Sequence, residues 1–265
     1  MSQEVEDSLI ICSNDPQNTS QEIARQISAW KFVNNKYLLI PQTGKKLHDL
    51  YFDTPNQNLQ ARRISVRVRD TSSAQTITVK IPSSQNTTKM TRFDNEIERP
   101  WSEDGLLFIV RVLRDNKIKL TCTDQNLDVN RDVRDVMRNL GLEVIQDRYT
   151  QREIRSIVKN NNMNQVLAEL DIDSVVYMIN YNKIRHYQIE VEEKYNNQPD
   201  ARIAITTGLL SSFRPFLRRW RYGKLTIGKG IKRLIDSNDL TEEEYSNLKW
   251  FTYDKLEELI LARII

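Results

Sequence analysis

The sequence predicts an α+β fold, an antiparallel β-sheet curled into a barrel with helices packed against its outside. Three observations predict it. Apolar and polar residues alternate with period two in segments near 50–53, 65–69, 76–80 and 94–98, and strand-like segments return at 145–157, 165–176 and 184–195. Turn-like stretches such as 70–73 and 82–86 separate neighbouring segments, as in a meander. On nearly every strand one partner of the alternation is Val or Ile and the other is charged, so one sheet face is apolar and the other ionic.

Taken in order, residues 4–12 read as a strand. Thr19-Ser20-Gln21-Glu22 has the form of a capping box, and Ile23, Ile27 and Trp30 follow at helical spacing, which predicts a helix over 20–32. The meander occupies 46–98. Helices are expected at 102–113 and 130–140, the second with Val133, Val136, Met137 and Leu140 on one face and Gly141 ending it. Asn160-Asn161-Asn162 marks a hairpin tip between two of the later strands. Beyond Pro199 the chain reads as helical, with a second capping box at Thr241-Glu242-Glu243-Glu244 and a short apolar helix over 255–265.

Composition excludes several classes. The 265 residues carry 39 Lys+Arg against 36 Asp+Glu, a net charge of +3, too balanced for a generic polyanion binder. No apolar run approaches the roughly 18 residues that span a bilayer. The acidic start, Met1 to Asp7, predicts no secretory signal. Two cysteines, Cys12 and Cys122, are too few for a disulfide scaffold, which sets a reduced, cytoplasmic location as the expectation. Two histidines argue against a His-based zinc site, so carboxylates are the expected metal ligands and Mg²⁺ or Mn²⁺ the expected ion.

The ionic face carries the functional signal. Glu4 and Glu6 flank Val5, Arg67 and Arg69 flank Val68, Thr78 and Lys80 flank Val79, and Glu96 and Glu98 flank Ile97. Arg148, Thr150 and Arg152 share a face, as do Glu169, Asp171 and Asp173, and then Glu190, Glu192 and Lys194. One such pair is an ordinary solvated strand face. Seven in succession are not, because Glu, Asp and Lys are depleted in strands and stacked like charges repel. Turning the ionic face inward brings acid and base strands together in a polar lumen. Carboxylate pairs there can hold a divalent cation, and interleaved Arg and Lys can hold the phosphates it bridges.

The order of these motifs, with Tyr51-Phe52-Asp53-Thr54-Pro55 and Leu59 between them and Ile172-Asp173-Ser174-Val175 late, resembles the CYTH or triphosphate tunnel metalloenzyme superfamily over about residues 3–235. That family includes tripolyphosphatases, thiamine triphosphatases, RNA triphosphatases and class IV adenylate cyclases. The resemblance implies a closed eight-stranded barrel over 1–237, with 238–265 as a helical extension, and a small triphosphate as substrate. It implies metal ligands among Glu4, Glu6, Asp173, Glu190 and Glu192. Arg67, Arg69, Lys80 and Arg152 would bind phosphate, as would Lys224 before a helix. Glu96 and Glu98 would orient these bases or a water, with Glu6, Glu192 and Lys80 nearest the chemistry.

Two positions depart from the family plan. Ser8 stands where the opening motif has lysine, and Thr150 where a base often precedes the arginine matched by Arg152; Arg148 or Lys194 could substitute. The expected activity is metal-dependent hydrolysis of a terminal phosphoanhydride. The alternatives are a class IV-type adenylate cyclase and a triphosphate-binding module with weakened catalysis. Nucleic acid enters only as a 5′-triphosphate RNA end. The basic residues between Arg214 and Arg233 read as a solvated helix face and tunnel rim. His48 and His186 read as surface or rim groups, the four tryptophans as packing, and the last helix as a packed arm or a homodimer contact.

Overall fold

The computed structural model describes residues 2–29, 36–82, 91–121, 127–194, 199–241, 244 and 247–262. Trp30, Cys122 and the last residues of the expected C-terminal helix lie outside them. The strands are β1 (Ser2–Ile11), β2 (Tyr37–Asp53), β3 (Ser65–Thr71), β4 (Gln75–Pro82), β5 (Thr91–Pro100), β6 (Glu143–Lys159), β7 (Asn162–Ile179), β8 (Asn182–Glu193) and β9 (Leu217–Trp220). The helices are α1 (Pro16–Ala29), α2 (Asn58–Ala61), α3 (Glu103–Asp115), α4 (Val133–Asn139), α5 (Asp200–Ser212), α6 (Lys224–Asp236) and α7 (Trp250–Leu261). The strands form one sheet in the order β5-β4-β3-β2-β6-β7-β8-β1-β9, and β5 also pairs with β1. The fold is therefore α+β, a large antiparallel sheet with helices.

The chain divides into two compact units, and β2 and β6 contribute residues to both. The first comprises Leu47–Gln85 and Asp94–Arg148 with Met1–Gln3. Its core joins Leu50, Phe52, Val66, Val68, Ile77, Val79 and Ile97 of the strands to Leu106, Ile109, Val110 and Leu113 of α3 and Val136, Met137 and Leu140 of α4. Each such buried aliphatic side chain contributes about 1.5–3 kcal/mol. Ser102 caps α3, its hydroxyl accepting from the Gly105 amide at 3.1 Å. Gly141, at φ +80°, lets the chain turn after α4 where a side chain would strike Thr121. Asp53 of the Tyr51–Pro55 motif is buried and accepts the backbone N–H groups of Thr54, Leu59 and Gln60 at 2.8–3.1 Å, which holds α2 against β2.

The second unit comprises Glu4–Lys46, Asn86–Phe93 and Tyr149–Ile265. One of its cores packs α1 and α5 on Leu9 and Ile11 of β1, Leu170 and Ile172 of β7, and Ile189 and Val191 of β8. A second packs α6 and α7 on the opposite strand face, through Ile10, Cys12, Val175, Tyr177, Ile179, Ile184 and Trp220.

Local expectations need correction at several places. Helix α1 begins at Pro16, not at the Thr19–Glu22 sequence, because Asp15 supplies the start by accepting the Asn18 amide at 3.1 Å. Strand β9 is missing from the expectation, since four residues are too few to show a period. Helix α7 starts at Trp250 rather than 255. At Thr241 the box bond exists, Glu244 Oε2 accepting from the Thr241 amide at 2.6 Å.

Candidate functional site

In the first unit the β2–β3 register sets Asp49 opposite Arg69 and Tyr51 opposite Arg67, and the β4–β5 register sets Thr78 opposite Glu98 and Lys80 opposite Glu96. The result is a cluster built on one carboxylate. Asp49, wholly buried, accepts from Arg69 Nε at 2.7 Å and Nη2 at 3.0 Å, and from Arg148 Nη2. Arg67 Nε lies 4.0 Å from it. Burial alone would raise the Asp49 pKa, but Arg148, Arg69 and Arg67 outweigh it and hold the carboxyl well below its usual range. Arg148 also donates to Tyr51 Oη at 3.0 Å. Tyr51 is lowered despite burial, because Arg148 and Arg67 favour its anion. Arg67 donates to Thr78 Oγ1 at 3.1 Å and to Glu96 at 3.4 Å, while its buried Nε has no hydrogen-bond partner. Lys80 lies 3.4 Å from Glu96, and Glu98 is half exposed. The cluster presents a planar, multi-donor surface suited to an oxyanion such as phosphate.

In the second unit the strands align carboxylates in rows. Glu6 is opposite Glu192, which is opposite Glu169; Ser8 is opposite Glu190, which is opposite Asp171. Further along, Asp173 faces Gln188, Val175 faces His186 and Tyr177 faces Ile184. This face is therefore ionic only at one end. It becomes apolar where α6 and α7 cover it, which corrects the expectation of one uniformly charged face.

Cations engage part of the ionic end. Arg152 grips Asp173 with Nε at 2.8 Å and Nη2 at 2.7 Å, reaches Glu190 at 3.3 Å and pairs with Asp171. Lys224, at the start of α6, lies 2.9 Å from Asp173 and 2.5 Å from Glu190. Lys194 lies 2.7 Å from Glu192 and 3.3 Å from Glu169. Asp173, flanked by two cations, is lowered in spite of burial. Asp171 is pushed up to about 7, by burial first and then by Asp173, Glu169 and Glu190, against the pull of Arg152. Glu192 is raised by burial and by Glu4 and Glu169, against Lys194. Glu4, Glu6, Glu169, Asp171, Asp173, Glu190 and Glu192 thus share this region with Arg152, Lys194 and Lys224.

Among the described residues, no group of three or more acidic, histidine or cysteine side chains is already gathered as an ion cage. The donor chemistry nonetheless fits a hard divalent cation, because every donor is a carboxylate oxygen and Asp171 Oδ1 is buried without a hydrogen-bond partner among the described residues.

Several residues here escape a reading of short motifs. Asp49 and Tyr51 continue the period-two pattern that ends in Asp53, and His186 and Gln188 extend Glu190-x-Glu192 backwards by two steps each. His186 is not a rim group: it is fully buried, and burial lowers its pKa to about 4. His48 bonds Asp147 at 2.9 Å. Asp7, on the other face of β1, pairs with Arg202 of α5 at 2.6 Å and ties that helix to the strand. Ser8 and Thr150 are both buried, and Thr150 Oγ1 has no hydrogen-bond partner. The basic residues near β9 are dispersed: Arg218 pairs with Asp254 and lies over the Trp250 ring, and Lys232 pairs with Asp236.

The model of the CYTH domain matches residues 26–211, more than half of the chain, and the chain belongs to that family. The match stops short of both β1 and α6, which supply Glu6 and Lys224 to the arrangement above. No curated protein matches the sequence. Among solved structures, the Hippeastrum protein HpAC1, a candidate adenylyl cyclase with a dominant triphosphatase activity, is 15% identical with a TM-score of 0.53, covering 91% of this chain and 99% of its own. A candidate adenylate cyclase of Bacillus halodurans is 16% identical over 84% of this chain and 96% of its own, with a TM-score of 0.47. Protein PH1819 of Pyrococcus horikoshii is 15% identical over 88% and 99%, with a TM-score of 0.45. At such identities the likeness to HpAC1 speaks for the fold, and the other two carry no argument. No described helix is long and apolar enough to cross a membrane.

Proposed function

We propose that the chain hydrolyses the terminal phosphoanhydride of a small triphosphate with Mg²⁺ or Mn²⁺. The observation that carries this reading is the alignment of carboxylates across β1, β8 and β7 in the second unit, where burial first and neighbouring carboxylates next raise Asp171 and Glu192, and added positive charge would lower them again. A divalent ion supplies that charge and, when bound, polarises a phosphoryl oxygen. Glu4, Glu6 and Glu192 would hold it. Asp173 and Glu190 belong to the same set and are engaged by Arg152 and Lys224. In this reading Arg152 and Lys224 meet phosphate oxygens in the second unit, and Arg67, Arg69, Arg148 and Lys80 are the phosphate-binding groups of the first, each unit taken by itself. Glu96 and Glu98 orient Arg67 and Lys80. Glu6 or Glu192 positions the attacking water.

A closed eight-stranded barrel is part of this proposal. So is the division into a catalytic domain over 1–237 and an extension over 238–265. The fold shared with HpAC1 favours hydrolysis over cyclisation, given the dominant activity of that protein. A second reading, binding without turnover, is favoured by Ser8 and Thr150, buried hydroxyls at two positions where the resemblance places bases.

Phosphate release from tripolyphosphate, ATP, thiamine triphosphate and 5′-triphosphate RNA, each with Mg²⁺ and Mn²⁺, decides between these readings. Metal-dependent release from one of them supports hydrolysis. Cyclic AMP from ATP would make the chain a cyclase, and tripolyphosphate binding without release would leave a binding module. Full activity in Glu6→Gln overturns the assignment of that carboxylate.

A further inference from the structure

Helix α7 lies in the stretch outside the family match, yet its Tyr253 reaches His186 of β8, the strand that carries Glu190 and Glu192. Tyr253 is fully buried among Trp220, Leu256 and Ile231. Its hydroxyl meets His186 Nδ1. His186 Nε2 lies 2.5 Å from Gln188 Oε1, and Gln188 Nε2 donates to Glu190 Oε1 at 2.6 Å. Glu190 in turn holds Lys224 and Arg152.

Only one polarity satisfies this chain. A carboxylate accepts, so the Gln188 amide must turn its NH₂ toward Glu190 and its carbonyl toward His186. Nε2 of His186 must then carry the proton, which leaves Nδ1 to accept from the phenol O–H of Tyr253. Both end states agree: burial keeps the imidazole neutral and keeps Tyr253 a phenol. Three polar side chains set in file through an apolar cluster are costly unless every group is satisfied, and here each bond orients the next. Phe at 253 and an aliphatic residue at 186 would have packed as well without that cost.

We propose that Tyr253 is a positioning residue, which fixes the Glu190 carboxylate through His186 and Gln188 and so makes α7 a working part of the site. The proposal rests on the metal-dependent triphosphatase reading for its kinetic consequence, but not for its geometry.

Two measurements test it. The chain has only two histidines, so ¹⁵N-labelled imidazole spectra, with His48→Gln for assignment, isolate His186. A protonated Nε2 and a bare Nδ1 are expected. Glu190→Gln should shift the Nε2 signal, and Gln188→Met should abolish that response. In the second measurement Tyr253→Phe, which keeps the ring and its packing, should lower kcat about tenfold at nearly unchanged KM, the scale seen when an outer partner of a ligating group is removed. An Nε2 signal indifferent to Glu190→Gln, or a Tyr253→Phe enzyme within twofold of wild type, overturns the proposal. Wild-type protein inactive on every triphosphate defeats the triphosphatase reading instead, and the nitrogen shifts still decide whether the relay exists.

Discussion

The two units use the same device, period-two alternation on antiparallel strands, and reach opposite charge balances. In the first, one buried carboxylate, Asp49, gathers Arg67, Arg69 and Arg148. In the second, carboxylates line up across three strands, and burial first raises two of them toward protonation. Under the proposed function the guanidinium cluster serves an anion and the carboxylate rows a cation. The contrast lies in which sign is gathered on the strands rather than in how much charge there is.

The comparison can be broken most severely at its simplest point. Asp49→Asn leaves three arginines crowded around a neutral side chain, and removing one partner from a buried charge cluster costs about 3–5 kcal/mol. Urea unfolding should show that loss, and a change below about 1 kcal/mol would mean the arginines do not depend on Asp49. Glu192→Gln tests the other unit in the opposite sense. It removes a carboxylate that burial first, and then Glu4 and Glu169, already disfavour, so stability should hold within about 1 kcal/mol. Metal-dependent phosphate release should nonetheless fall by about 10²–10³. Wild-type turnover in that variant would remove Glu192 from the site.

A third test uses pH. The folded-state pKa of His186 is depressed to about 4 against an unfolded value near 6.5, so its contribution is complete above pH 6.5 and is lost as pH falls through 4. Acidification from pH 7 to pH 5 should cost about 2 kcal/mol from this group alone. The thermal midpoint of His186→Gln should be correspondingly less acid-sensitive, and equal acid sensitivity would show that His186 is not the titrating group. The smallest effect belongs to Arg69→Lys. Losing the two-pronged contact with Asp49 while keeping the charge should cost about 1 kcal/mol by denaturant melt.

Much of the architecture is legible in single strands. Val66, Val68, Ile77 and Val79 enter the core because they alternate with Arg67, Arg69, Thr78 and Lys80. A helix is expected at 102–113, and in the structure the Ser102 hydroxyl caps α3 at that start. The E-x-E and R-x-R pairs stand out because charge on strands is uncommon. Asp49 is harder to see, lying between His48 and Leu50 with no second acid beside it; its importance comes from three arginines on β3 and β6. Asp7 looks like part of an acidic terminus until Arg202, nearly two hundred residues later, reaches it. Strand β9 escapes because four residues carry no period.

The sequence by itself determined the alternation, the sign of charge on each strand and the membership of the ionic face, since side-chain direction along a strand follows from local backbone geometry. Tertiary structure alone decided which of those charges are compensated. It placed Asp49 among three arginines, closed one end of the carboxylate rows with α6 and α7, and set Tyr253 of α7 on His186 of β8. Compensation and burial depend on neighbours far apart in the chain, and no local pattern encodes them.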